Sequence, residues 1–188
     1  MLIVPRDTER LQNDPVRLID NCPPPIADDR LRFLQDIQRL IDEGSYSATY
    51  KFALLSALTD VTVAKGDVGG EALDIQVSEI AGRFIECYWR QSFPFPAADS
   101  GAMVLFQNKG KQAAVVGAIQ RTLDDVGGSV ARAKRDPIIW RNLVSVVKET
   151  VCDQPLWKLQ RVRGGVHDFL YAQGTGQVQK ISLRPGVA

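Results

Sequence analysis

The sequence predicts a mainly α fold: a single helical domain of five to six helices with a small β element near the C-terminus. Three observations carry that expectation. Apolar residues recur at helical spacing in several separate segments. Asp136-Pro137 pairs an N-cap residue with proline at the first helical position. After Pro155 the chain breaks into short segments separated by glycines, which read as loops and small strands.

The elements follow in order. Residues 1–27 hold five prolines, including Pro23-Pro24-Pro25, and read as an extended arm. The helical domain is expected over residues 28–188. Its first helix starts near Asp28 or Asp29, turns Leu31, Leu34, Ile37, Leu40 and Ile41 inward, and ends at Gly44. Tyr50 to about Ala64 is apolar on more than one face and reads as a central, largely buried helix. Gln76 to about Gln91 is the clearest amphipathic segment, with Val77, Ile80, Ala81, Phe84, Ile85 and Tyr88 on one stripe. Met103–Phe106 is a short strand or the lead into another helix. Lys111 to about Leu123 is the next helix, and Gly127-Gly128 interrupts the chain after it. The helix opened by Asp136-Pro137 carries Ile139, Leu143, Val146, Val147 and Val151 inward. Leu156–Gln160, Asp168–Ala172 and Val178–Leu183 form the loops and small strands of the last part.

Composition excludes several classes. The chain has 188 residues, the length of one large domain. Hydrophobic residues make up 45% and charged residues 24%, too balanced for a disordered chain or a coiled-coil rod. No apolar run approaches the ~20 residues of a membrane span. The start, MLIVPRDTERL, lacks a basic region and a long apolar core, so no secretory signal is expected. Cys22, Cys87 and Cys152 lie far apart and define no disulfide framework or metal knuckle, which fits a reducing cytoplasm.

Charge is unevenly spread. Residues 1–100 carry 10 Lys/Arg against 16 Asp/Glu, a net of −6, whereas residues 101–188 carry 13 against 6, a net of +7. The basic residues cluster as Lys109 and Lys111, then Arg132, Lys134 and Arg135, then Lys158, Arg161 and Arg163. They interleave with Trp140 and Trp157, a mixture of flat faces and cations that suits a nucleic-acid backbone. Gln107 and Asn108 add amides able to reach backbone or base edges. Plain surface solvation of the charges and core packing of Trp140 are the competing readings.

Catalytic signals are sparse. His167 is the one histidine, too few for a metal site, and nothing in the sequence places it beside Cys152. Gly110-Lys111 is followed by Gln112, so no Walker loop exists, and no strand leads into a G-x-G-x-x-G turn. Asp99 with Gln107-Asn108-Lys109 matches a loose D…QxK pattern of Mg²⁺-dependent nucleases, in which a metal ion would activate a phosphodiester. The spacing is short and no acidic partner stands upstream. No catalytic residue, cofactor or resident metal is therefore assigned.

Five runs carry a family likeness: Thr49–Leu55, Tyr88-Trp89-Arg90-Gln91, Phe106–Ala113, Pro155–Gln160 and Asp168–Tyr171. In that order they resemble the N-terminal region of bacterial HNH endonuclease-type proteins of defence and restriction systems. Arg90 stands where that family usually has proline. The family continues into a His-Asn-His nuclease domain, which a chain with one histidine lacks. The resemblance thus implies a fragment, a truncated relative or a separate N-terminal domain. The Pro-Leu-Trp-Lys-Leu-Gln segment is also distantly similar to sulfur-binding domains of phosphorothioate-dependent restriction enzymes. That likeness implies an apolar pocket for a backbone sulfur, with Tyr50, Trp89, Pro155 and Trp157 as contributors.

The expected function is a non-catalytic DNA-recognition domain whose partner is duplex DNA, backbone-modified in the more distant likeness. Gln107, Asn108, Lys109, Lys111, Arg132, Lys134, Arg135, Lys158, Arg161 and Arg163 would line its interface. A nuclease domain or another protein is a further expected partner, and a membrane is not. The alternatives are a protein-interaction or oligomerisation module of a defence system and a cryptic D…QxK nuclease.

Overall fold

A computed structural model describes residues 26–43, 49–66, 71–97, 101–104, 113–162, 165–172 and 178–187. The expected arm lies outside these residues, apart from the start of the first helix. That helix, α1, spans Ile26–Glu43. It is followed by α2 (Tyr50–Lys65), strand β1 (Leu73–Gln76) and α3 (Val77–Trp89), which ends in a 3₁₀ turn over Arg90–Ser92. A hairpin of β2 (Phe95–Ala97) and β3 (Gly101–Met103) precedes α4 (Ala114–Leu123). Then come α5 (Val130–Arg135), α6 (Pro137–Asp153) and a single helical turn, α7 (Pro155–Lys158). Three short strands finish the chain: β4 (Arg161–Val162), β5 (Gly165–Val166) and β6 (Lys180–Leu183). The fold is mainly helical with minor β structure, as the periodicity predicts.

Helix α3 is the axle. It packs against α2, α4 and α6, and α6 in turn carries α5 at one end and α7 at the other. Ile80, Ala81, Phe84 and Ile85 of α3 are fully buried, as are Val115 and Ile119 of α4 and Val147 and Val151 of α6. Tyr50 meets Tyr88 edge-on at 5.7 Å, and Thr49 and Tyr88 share a hydroxyl hydrogen bond of 2.7 Å that pins α2 to α3. Burial pushes the Tyr88 phenol up to about 12.

Helix ends are set locally. Asp136 Oδ1 accepts from the backbone N–H groups of Ile138 and Ile139 at 2.9 and 3.0 Å, so the expected N-cap of α6 is real. Glu79 Oε2 accepts from the Gln76 N–H at 2.9 Å at the start of α3. Between α4 and α5, Gly128 adopts φ 72° while its carbonyl accepts the Trp89 indole N–H at 2.9 Å. A Cβ at Gly128 would lie 3.1 Å from the Phe93 ring, so the close approach requires glycine.

Several expectations are corrected. Helix α1 starts at Ile26, ahead of Asp28. Its stripe is only partly covered: Leu40 is buried, but Leu31 and Leu34 are exposed. Helix α2 is less enclosed than its apolar composition suggests, because Phe52 and Val63 face outward. Val146 of α6 is exposed as well. Helix α4 begins at Ala114 rather than Lys111. Leu156–Gln160, expected as loop or small strand, instead starts in a helical turn that ends at Lys158; Pro155 opens that turn, where its missing N–H costs nothing. Strand β1 and helix α5 escape the periodicity because each is too short to show a period.

Strand β1 pairs antiparallel with β6, with Leu73 opposite Leu183 and Ile75 opposite Ile181. These inward residues are buried, while Lys180 and Asp74 form an exterior ion pair at 2.6 Å. Tyr171 bridges to Leu183 at the end of this ladder.

Candidate functional site

The basic residues sort into two described groups. Arg132, Lys134 and Arg135 sit on α5, at the N-terminal end of α6; Lys158 and Arg161 follow its C-terminal end. Seventeen residues of helix separate the groups by about 25 Å along the axis, so they do not make one contiguous patch. Gln107, Asn108, Lys109, Lys111 and Arg163 lie outside the described residues, as does Asp99 of the D…QxK pattern. Among the described residues no group of three or more His, Cys, Asp or Glu is placed to hold a metal.

The α7 end is the more open surface. Proline starts the turn and brings Trp157 and Lys158 outward, and β4 delivers Arg161 beside them. The Trp157 indole is 38% exposed, its N–H donates to the Asp153 carbonyl, and the Arg161 guanidinium lies 4.3 Å over its ring. The Lys158 ammonium is 5.5 Å from the same ring and donates to Gln154 Oε1 at 2.5 Å. An exposed aromatic face flanked by two cations can stack on a flat group and neutralise an anion.

The α5 cations divide differently. Lys134 is committed: it pairs with Glu86 at 2.5 Å and lies 5.7 Å from the Trp140 ring. Arg132 and Arg135 are exposed and have no ion-pair partner among the described residues.

The four residues implied as a sulfur pocket have separate duties. Trp89 is 4% exposed and spends its indole N–H on Gly128. Pro155 is buried at the start of α7. The Tyr50 hydroxyl accepts the Val115 N–H at 3.4 Å, and burial pushes its phenol up. Trp157 alone of the four is exposed. The Cys152 thiol donates to the Val178 carbonyl at 3.5 Å rather than to His167, and burial raises it, the opposite of nucleophile activation.

Two concavities escape the sequence reading. The first, roughly 700 Å³, runs between α3 and α6 with Trp140 and Gly82 in its wall. Lys65–Glu79 at 3.1 Å and Arg83–Glu86 at 3.1 Å line its rim. The second, roughly 350 Å³, is apolar and lies among α1, α2 and the β6 end, lined by Phe33, Leu34, Leu58, Val63 and Leu183.

Among the described residues no helix is long and apolar enough to cross a membrane. No family model, curated protein or solved structure matches this chain.

Proposed function

We propose that this chain is a non-catalytic DNA-recognition domain that holds the phosphate backbone of a duplex through the α7 turn and the start of β4. The observation that carries the reading is the stack of Arg161 on the exposed Trp157 indole, with Lys158 beside it. Stacking preorients the guanidinium, so less side-chain entropy is lost when it meets a phosphate. The surplus of basic residues in the second half supports the same direction. Arg132 and Arg135 on α5 form a second, separate basic group at the other end of α6. The motif resemblance supports a relation to the N-terminal regions of HNH endonuclease-type defence proteins, with phosphorothioated DNA as the modified ligand to test.

Fluorescence anisotropy of a labelled duplex, plain and phosphorothioated, across a salt series tests the reading. The expected result is binding that weakens steeply with salt, by a log–log slope of about 0.9 per phosphate neutralised. An absence of binding at low salt overturns it.

A protein-interaction module is the second reading, favoured by the apolar concavity beside the exposed Leu34 and Val63. Its mark would be a mass that rises with concentration in light scattering, without a DNA shift, and that returns to the monomer value in Leu34→Glu.

A further inference from the structure

We infer that the α7 surface takes an unpaired base, so that the DNA it holds best is a duplex with a short single-stranded overhang. The inference rests on the DNA-recognition reading and names the group that the aromatic part of the surface meets.

From Pro155 to Val162 the chain is anchored almost throughout. Pro155, Leu156, Leu159, Gln160 and Val162 are buried, and Lys158 is half-buried. Trp157 and Arg161 are the exposed residues of this segment. They stand together: the Arg161 guanidinium lies 4.3 Å over the indole ring. Both are fixed by their neighbours. The indole N–H donates to the Asp153 carbonyl, which sets the orientation of the ring. Arg161 opens β4 opposite Val166 and directly follows Gln160, whose buried amide bonds to Leu170 and Tyr171. The exposed stack therefore sits on a rigid base and loses little further entropy when a ligand lands on it.

Phosphates use only part of this surface. The backbone of an intact duplex supplies anions for Arg161 and Lys158, but it presents no flat group to the indole, because paired bases offer only their edges in the grooves. A base freed from pairing has an open face. It adds as the next layer on the Trp157–Arg161 stack while the two cations keep the phosphates beside it. Every base has such a face, and the indole N–H is already spent on Asp153. The preference is accordingly for the unpaired state rather than for one sequence.

The test is fluorescence anisotropy of the intact chain with three labelled DNAs: a blunt duplex, the same duplex with a short overhang, and the same overhang built from abasic sites. The abasic strand keeps the phosphates and lacks the bases. The overhang with bases should bind about tenfold tighter than the abasic one, the worth of one stacked base. Trp157→Ala should erase that difference, and Arg161→Lys, which keeps the charge without the plane, should narrow it. A free deoxynucleoside monophosphate should compete only at far higher concentration, since it lacks the neighbouring phosphates. Should Trp157→Ala fail to fold by circular dichroism, the comparison of the two overhangs on the unaltered chain decides alone. Equal affinity for the two overhangs, a full difference retained in Trp157→Ala, or competition by the monophosphate at the concentration of the overhang would each overturn the inference. Salt-sensitive binding of the blunt duplex in the same series would leave the DNA-recognition reading standing; no binding of any of the three DNAs would overturn both.

Discussion

The side chain of Gln160 completes the backbone of Tyr171. Its Nε2 donates to the Tyr171 carbonyl at 2.7 Å, and its Oε1 accepts the Leu170 and Tyr171 N–H groups at 2.8 and 3.3 Å. The side-chain amide makes the bonds to the Tyr171 backbone that a neighbouring strand would make. The Tyr171 hydroxyl returns the connection by donating to the Leu156 carbonyl at 2.7 Å. Both residues are essentially inaccessible to solvent.

Replacing Gln160 with leucine therefore leaves buried backbone donors and an acceptor without partners. The expected loss is about 2–4 kcal/mol, since each unsatisfied group costs roughly 1–3 kcal/mol. Urea unfolding reads it, and a loss below about 0.5 kcal/mol would show that water takes over these contacts.

Gly128→Ala combines an unfavourable positive φ with a Cβ 3.1 Å from Phe93. A loss of about 1–2 kcal/mol is expected. Repeating the substitution in a Phe93→Ala background isolates the ring contact from the cost of the positive φ.

Gly82→Ala should have the opposite sign. The helix interior favours alanine by about 0.5–1 kcal/mol, and the new methyl group meets Trp140 at ordinary distance. Thermal unfolding should show a higher midpoint.

High pH should unfold the protein through Tyr88. Burial holds its phenol at about 12, above the ordinary value of 10.0. The folded state thus favours the neutral form. This contribution is complete below pH 10 and is lost as pH rises through 12. Tyr50, raised by burial in the same cluster, loses stability in the same direction. Tyrosinate absorbance and circular dichroism followed together should change in the same window, and Tyr88→Phe should lessen the alkaline loss.

On the α7 surface, Arg161→Glu should weaken duplex binding about tenfold or more at low salt and reduce the salt slope. Lys134→Ala should change little by comparison, because Glu86 already holds that ammonium. A larger loss from Lys134→Ala than from Arg161→Glu would place the interface at α5 instead.

Local signals were legible where one residue type has one mechanical use. Asp136-Pro137 caps α6, Gly128 takes the turn, and the stripe of α3 is buried. Helix existence could be read because α3 and α6 each repeat their stripe over several turns and α2 is a long, nearly uncharged apolar run. What escaped depends on distant partners. The apolar spacing of α1 says nothing about whether a neighbour will cover Leu31 and Leu34. Strand β1 exists because Lys180–Leu183 arrives beside it from the far end of the sequence. Trp89 and Trp157 look alike in one dimension; one is buried with its N–H on Gly128, and the other lies open beneath Arg161. The basic clusters were visible as runs, but their placement at opposite ends of α6 was not.

The pairing of β1 with β6 also governs when the protein can finish folding. Helices α2, α3 and α4 can form as they leave the ribosome, but Ile75 waits for Ile181 to cover it. More than a hundred residues of synthesis separate the two partners, a long loop to close late. Until then an apolar strand edge stands open in the nascent chain, a natural point for chaperone capture or mispairing between neighbouring chains.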